Sequence, residues 1–377
     1  MKNFFLRYQK LHIWLLADLL LLALFVLLRE SRAAMNGFVH HVSTPIRRFI
    51  GRLCYLVDFS VAELLCVLLV LAVIAYVVWS VVAVVRAGKG GHLRRTYTAL
   101  LGAACGALTL GAVFCWFWGA DYYTDSFQER SGIYAQPVAA EDLLAVTVYF
   151  ARQTALTAGT VARDENGLFA VPREDILSDS PHAYDELEKQ FPFLEFNDLG
   201  VKPVRLSRVM SALDFTGVYC PYTGEANVNI DSPACMLPAT AAHEMAHQRG
   251  YASEQECNFL AILASTTCGN DTYAYSGWLM GYIYLGNALY RIAPETYWSI
   301  RDVLPETVKA DLEDNTAYWD QFRDTAAQKA SNKVYDGMLK AYGEERGIQS
   351  YGTVVDMLVV YYKDAAHSQD GRSSVKS

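Results

Sequence analysis

The sequence predicts an α-helical membrane region of three transmembrane helices, followed by an α+β, mostly helical domain exposed to water. Hydrophobic residues make up 53% of the 377 residues, and most of this excess lies before residue 120. That part contains three apolar runs of a length that suits a bilayer. From about Gly132 the chain changes to mixed polar and apolar residues, which is typical of a globular domain.

The three apolar runs are residues 13–28, 62–85 and 98–118. Each approaches or exceeds the ~20 apolar residues that cross a hydrocarbon core of ~30 Å. The first run is not a cleavable signal, because it is long, lacks a small-residue cleavage site and precedes further spans. We therefore expect a membrane domain over residues 1–120, a globular domain over 121–366 and a disordered polar tail over 367–377.

Basic residues predict how the spans are oriented. Two segments expected on one side of the membrane, before the first span and between the second and third, are basic through Lys2, Arg7, Lys10, Arg86, Lys89, Arg94 and Arg95. The positive-inside rule places this side in the cytoplasm. The opposite loop also carries five arginines, but acidic residues follow the third span. We expect a multi-pass protein of the cell membrane, in contact with lipid, whose large domain is extracytoplasmic.

Residues 272–290 form a further stretch without charge, and two interpretations are open. The stretch is long enough to span a membrane, but it contains five tyrosines and three glycines and is followed by a single basic residue, Arg291. This composition favours a buried helix of the globular domain over a fourth span.

The charge balance bears on possible partners. The net charge is −8, and because the first hundred residues are basic, the remainder is acidic. Binding to phosphate backbones requires a basic surface, so the sequence argues against nucleic acid as a partner.

The eight cysteines include no CxxC pair, which argues against a thiolate zinc knuckle and a thioredoxin-type site. An even number in an exported domain permits a disulfide, for which Cys220 and Cys235 are the candidate pair. The alternative is that they are small buried thiols.

The HExxH pattern at residues 243–247 predicts a catalytic metal site. Pro238 and Thr240 predict the start of a helix, on which His243 and His247 are neighbours on one face. Two imidazole nitrogens at this spacing can bind one zinc ion at ~2.0–2.1 Å. Glu244 lies beside the first histidine, where it can act as the general base for a zinc-activated water.

A catalytic zinc needs a third protein ligand and one open position. Gly250 can end the first helix in a left-handed cap, and Ser253 can cap a second helix. Glu254 then lies in the first turn of the second helix and faces the first. Glu256 is the alternative ligand, but it is rotated by about 200° around the helix, so we favour Glu254.

The segment from Glu254 to Asn258 resembles the second helix of gluzincins, in which the first glutamate binds zinc. The resemblance implies that Asn258 orients a zinc-binding histidine. The gap between His247 and Glu254 is shorter here than in typical gluzincins.

Longer stretches resemble the bacterial membrane proteins classed as domain of unknown function 3810. They read PYTGEANVN, HEMAHQRGYASEQECNFLA, YSG and YDGMLKAYGEERGIQSYGTVVDMLVVYY. The resemblance covers nearly the whole chain. It implies N-terminal transmembrane helices and a zincin-like, gluzincin-type peptidase domain, without indicating a substrate.

A strand is predicted just before the motif. Glu225, Ala226, Asn227, Val228 and Asn229 alternate polar and apolar side chains. Peptides commonly bind by adding a strand to the edge of a sheet. These five residues are therefore candidates for binding the substrate backbone, the alternative being a plain structural strand.

These observations predict a membrane-anchored metallopeptidase that uses one Zn²⁺ ion to hydrolyse a peptide or protein. The alternative is a non-catalytic zinc-binding sensor or scaffold of the cell envelope. Glu244 argues against it, because a structural zinc site needs no general base and is usually closed by a fourth ligand. Intramembrane proteolysis would place the motif inside an apolar span, whereas Arg249, Glu254 and Glu256 follow it closely.

Overall fold

The computed structural model describes residues 6–88, 90–342 and 351–373, with side chains in these ranges except at 351 and 369–373. The chain divides into two compact units. The first, which we call the membrane unit, comprises Met1–Cys54, Val61–Thr124 and Pro221–Thr223. The second, the globular unit, comprises Tyr55–Ser60, Asp125–Cys220 and Gly224–Ser377.

The membrane unit contains the three predicted apolar helices. They are α1 (Gln9–Leu28), α4 (Val61–Val85) and α5 (His92–Phe117), and each is long and apolar enough to cross a membrane. The short helices α2 (Arg32–Phe38) and α3 (Thr44–Cys54) lie between α1 and α4, joined by a π-helical turn at Val39–Ser43. The third apolar helix begins six residues before the predicted residue 98, because its first turns are polar.

Helices α1 and α5 pack side by side and run in the same direction. Near their starts, the ring of His12 lies 2.7 Å from the hydroxyl of Tyr97. Near their ends, Nε1 of Trp116 donates to the carbonyl oxygen of Leu21 at 3.2 Å. Contacts in this order along both helices require a parallel arrangement.

A buried ion pair joins the segments that follow these two helices. Arg47 of α3 donates to both carboxylate oxygens of Asp121, at 2.5 Å and 3.0 Å. Asp121 belongs to a 3₁₀ turn, Gly119–Tyr123, directly after α5. Both side chains are almost fully buried, and such a two-pronged contact is a strong form of ion pair.

The globular unit is mostly helical. Its helices are α6 (Phe127–Ser131), α7 (Ala140–Thr157), α8 (Arg173–Asp179), α9 (Asp185–Gln190), α10 (Ser207–Ala212), α11 (Leu237–Gln248), α12 (Glu254–Thr267), α13 (Asp271–Ile292), α14 (Pro294–Asp302), α15 (Glu306–Asp320), α16 (Ala326–Ala341) and α17 (Tyr351–Ser373).

A small mixed sheet accompanies these helices. Its strands are β1 (Val201–Val204), β2 (Gly217–Cys220) and β3 (Glu225–Asn229), in the order β1-β3-β2. Strand β3 is parallel to β1 and antiparallel to β2. The prediction that residues 225–229 form an edge is therefore wrong, since both sides of β3 are hydrogen-bonded and all five residues are buried.

Helix α13 confirms that residues 272–290 form a buried helix. It packs against α7 and α12, and its tyrosines 273, 275 and 282 are buried. Two of its glycines allow close contacts: a Cβ at Gly281 would lie 2.2 Å from the ring of Phe150, and one at Gly277 would lie 2.6 Å from Cβ of Ser265. The glycines thus serve helix packing inside the globular unit.

Two further expectations are wrong. None of the eight cysteines takes part in a disulfide, so Cys220 and Cys235 are not bonded to each other. Cys235 is buried in the core, as in the alternative interpretation. The tail predicted to be disordered from residue 367 continues helix α17 as far as Ser373, and residues 374–377 lie outside the described part.

Candidate metal centre

Three predicted ligands converge where α11 meets α12. His243 and His247 lie one turn apart on α11, and Glu254 is the first residue of α12. Nε2 of His243 lies 3.2 Å from Oε2 of Glu254, and Nε2 of His247 lies 3.4 Å from Oε1. The three ligand atoms lie within 4.8 Å of one another.

The turn between the helices brings Glu254 back to the histidines. Gly250 adopts a φ of +95°, as predicted for a left-handed helix end, where a side chain would be strained. Ser253 occupies the N-cap position of α12, although its side chain makes no capping hydrogen bond. The short gap between the second histidine and the glutamate is therefore sufficient for one turn back.

Glu256, the alternative ligand, faces a different part of the molecule. Its carboxylate oxygens accept hydrogen bonds from the backbone N–H groups of Phe127 and Gln128, both at 3.0 Å. These groups open helix α6, whose first N–H groups have no partner within the helix. The structure thus brings Glu254, and not Glu256, to the histidines.

His247 is oriented by groups other than Asn258. Its Nδ1 donates to the carbonyl oxygen of Tyr251 at 2.7 Å and lies 3.2 Å from Sγ of Cys257. Because a carbonyl only accepts, this contact leaves the lone pair of a neutral ring on Nε2, which faces Glu254. Among the described hydrogen bonds none joins Asn258 to a histidine, so its predicted orienting role is not seen.

The charges of the cluster support one another. Burial alone would lower the pKa of His247, but the neighbouring Cys257 and Glu254 groups raise it well above its usual value. Burial alone would raise the pKa of Glu254, but the two histidines hold it well below its usual value. The pocket therefore favours a negative charge on Glu254 with a positive charge beside it, carried either by the protonated ring of His247 or by a metal ion that replaces that proton.

Glu244 lies beside the cluster in a tightly enclosed position. The residue is 3% exposed, and its Oε2 has no hydrogen-bond partner among the described residues. Burial raises its pKa to about 7, against the opposing effect of His243 and His247. A carboxyl group in this state can both accept and release a proton near neutral pH.

Strand β2 passes directly over Glu244. At Gly217 a Cβ would lie 2.4 Å from Oε1 of Glu244, so only glycine allows this approach. The backbone of Tyr219 is hydrogen-bonded to the same carboxyl group. Within the described sheet β2 is an edge strand, and Val218 between these residues is 44% exposed. The open edge beside the cluster is thus β2.

Arg249 fixes the end of helix α11. Its guanidinium is buried, pairs with Glu188 at 2.8 Å and Asp198 at 2.5 Å, and lies 3.7 Å from the ring centroid of Tyr184. It also donates to the carbonyl oxygen of Met245 at 3.2 Å, inside the histidine helix. This network holds the end of α11 in place.

Sequence reasoning missed one residue of the site, Tyr335. It lies on α16, and its hydroxyl donates to Oε1 of Glu254. Because 81 residues separate the two, no local spacing links them. Tyr335 does open a stretch on which the family resemblance rests, but that resemblance assigns it no role.

The donor atoms suit a zinc ion. Two imidazole nitrogens and one carboxylate oxygen are a set found in catalytic zinc sites, which leave one further position open. The buried, unpaired Oε2 of Glu244 supplies the adjacent acceptor that a zinc hydrolase requires.

Comparison with known proteins identifies the family. No curated protein and no solved structure matches the chain. Residues 38–359 match the family described as "Protein of unknown function (DUF3810)". Since this match covers far more than half of the 377 residues, the chain belongs to the DUF3810 family.

Proposed function

We propose that this protein is a membrane-anchored zinc metallopeptidase with a zincin-like, gluzincin-type catalytic domain. The observation that carries the proposal is the convergence of His243, His247 and Glu254, with the buried carboxyl group of Glu244 next to it. A site that only stabilises a fold would need no such neighbouring base.

One Zn²⁺ ion is the proposed cofactor, with His243 and His247 as nitrogen ligands and Glu254 as the oxygen ligand. When bound, zinc supplies a water of lowered pKa and polarises the carbonyl group of the substrate.

Glu244 is the proposed general base. It accepts a proton from the attacking water and then delivers that proton to the amine that leaves when the peptide bond breaks. Its burial next to the three proposed ligands places the carboxyl group where it can take up this proton and pass it on. The contact with Gly217 on one side and the hydrogen bond with the Tyr219 backbone hold the carboxyl group in position.

The proposed substrate is a peptide or an extended protein segment. Strand β2 is the edge of the described sheet and lies next to Glu244, so an added strand would run past the base. Residues 225–229, the strand predicted from the sequence to bind the substrate backbone, form the central strand of the sheet and so offer no edge for this role.

The three apolar helices support anchoring in the membrane. We propose that the protein is multi-pass and that the globular unit acts on the extracytoplasmic side. The basic segments before the first span and between the second and third support this orientation.

The test combines metal analysis with a hydrolysis assay on the full-length protein in detergent. Wild type should contain one zinc per chain, and His243→Ala and His247→Ala should lose it. A library of synthetic peptides, analysed by mass spectrometry, should be cleaved by wild type, while Glu244→Gln should keep zinc and lose cleavage. Zinc retained in both histidine variants would contradict the ligand assignment.

The same assay distinguishes the alternative function. A wild type that binds stoichiometric zinc but cleaves no more of the library than Glu244→Gln would support the non-catalytic sensor or scaffold.

A further inference from the structure

Helix α16 rests on the globular unit along a single stripe. Gln328, Asn332, Tyr335 and Leu339 are spaced by three or four residues and so share one helix face. Leu339 is the buried residue among those described in α16. Away from the stripe the helix is open to solvent, and Val334 is 75% exposed. The described contacts of this helix are therefore made mainly by polar side chains and one aromatic ring.

The stripe begins on the turn that leads into β2. Nε2 of Gln328 and Nδ2 of Asn332 donate to Oδ2 of Asp214, at 3.0 Å and 2.9 Å. The ring of Tyr335 meets the ring of Phe215 edge to face, with centroids 5.6 Å apart. These contacts place the middle of α16 beside the start of the edge strand.

The stripe then reaches the candidate metal centre through Tyr335. Its hydroxyl donates to Oε1 of Glu254, while Oε2 of that carboxylate faces Nε2 of His243 at 3.2 Å. The phenol therefore holds Oε1, which also lies 3.4 Å from Nε2 of His247, so that both carboxylate oxygens face the histidines. A ligating carboxylate that is held by a hydrogen bond keeps the orientation that coordination needs.

We propose that Tyr335 is a positioning residue of the metal centre: its hydroxyl holds the carboxylate of Glu254 in the orientation that faces the two histidines, and thereby couples metal binding to the docking of α16. The proposal rests on the proposed function, since it requires that Glu254 binds zinc. Coupling is reciprocal, so bound zinc stabilises docked α16, and docked α16 strengthens zinc binding.

The first test measures zinc affinity by competition with a chelating dye, on full-length protein in detergent. Tyr335→Phe keeps the ring against Phe215 and removes only the hydroxyl. It should weaken zinc binding by about 10–100-fold, the usual effect of losing a partner of a ligand. Tyr361→Phe is the matched control, because that hydroxyl contacts Gln190, and its affinity should equal wild type. Equal affinities of Tyr335→Phe and wild type would overturn the proposal.

The second test measures hydrogen exchange of the backbone amides of residues 326–341, with and without zinc. Zinc should slow this exchange in wild type and in Tyr361→Phe, and much less in Tyr335→Phe at saturating zinc. Equal protection in all three proteins would show that the hydroxyl does not couple α16 to the metal.

The two tests also separate this proposal from the proposed function. A wild type that binds no zinc would overturn both. A wild type that binds zinc through the histidines, with Tyr335→Phe unchanged in affinity and exchange, would overturn only the role of Tyr335.

Discussion

The position of Glu244 depends on the absence of a side chain at Gly217. A Cβ there would lie 2.4 Å from Oε1, 2.6 Å from Cγ and 2.7 Å from Cδ of Glu244. These distances are too short for any Cβ, and the buried carboxyl group has little room to move. Alanine at this position must therefore displace the proposed base.

We expect Gly217→Ala to reduce peptide cleavage by about 100-fold, as a displacement of ~1 Å in a catalytic group can do. Zinc content should stay at the wild-type level, because the three ligands are untouched. Gly159→Ala is the control, since a Cβ there would lie at an ordinary contact distance of 3.8 Å from the carbonyl oxygen of Leu156. Wild-type cleavage by Gly217→Ala would show that Glu244 tolerates displacement or is not the base.

Substitutions of Glu254, Glu256 and Asn258 at the start of α12 should differ in their effect on zinc binding. Glu254→Ala removes one of three proposed protein ligands and should abolish tight binding. Glu256→Ala should leave zinc affinity near wild type but lower the melting temperature, because two backbone N–H groups lose their acceptor at a cost of about 1–3 kcal/mol each. Asn258→Ala should resemble wild type. The measurements are zinc competition and thermal unfolding, and a greater loss of zinc in Glu256→Ala than in Glu254→Ala would contradict the assignment.

For single residues, the sequence predicts those contacts of the site that depend on the local geometry of the chain. His243, His247 and Glu254 are close in the chain, so helix periodicity and one glycine turn predict that they meet. The role of Asn258 stays a prediction, because the contact that orients the ring of His247 is made by another nearby group, the carbonyl oxygen of Tyr251. Tyr335 reaches the site only through tertiary packing, which no spacing in the sequence expresses.

Among the elements, helix α11 depends on the charged network at its end. Arg249 is buried with Glu188 and Asp198, and burial raises the pKa of Asp198 to about 6 despite the nearby guanidinium. Removing one partner of a buried pair leaves the other charge without compensation, which typically costs about 3–5 kcal/mol.

We expect Arg249→Met to lower the melting temperature strongly in full-length protein, while molecules that remain folded keep zinc. The control is Arg208→Met, whose ion pair with Asp231 at 3.1 Å is largely exposed and should contribute little to stability, because water and salt screen it. An Arg249→Met protein as stable as the control would mean that α11 is held by its apolar contacts alone.

Two segments of the globular unit show which features of a helix or strand can be predicted from a sequence pattern. The absence of charge in residues 272–290 is equally consistent with a span and a core helix, and its glycines decide for the core because Phe150 and Ser265 pack against them. The alternation in residues 225–229 predicts a strand correctly. It does not give the order of strands, since pairing on both sides of β3 depends on β1 and β2.

Two features of the membrane unit support the predicted orientation of the chain in the membrane. Helices α1 and α5 run in the same direction, as three consecutive spans require of the first and third. Arg47, one of the arginines that oppose the expected orientation, is buried against Asp121. An arginine that is neutralised by an ion pair has less effect on membrane orientation under the positive-inside rule. The basic segments on the other side therefore have more influence on the orientation.

We therefore expect a reporter enzyme that is active only outside the cytoplasm to work when fused after Gly132 and also after Arg291. The same reporter fused after Gly88, between α4 and α5, should be inactive, because that segment carries the basic residues that remain in the cytoplasm. Activity after Gly132 but not after Arg291 would mean that helix α13 crosses the membrane, in conflict with its buried tyrosines. Activity after Gly88 alone would reverse the orientation and place the proposed metal centre in the cytoplasm, where the substrate would have to be an intracellular peptide or protein.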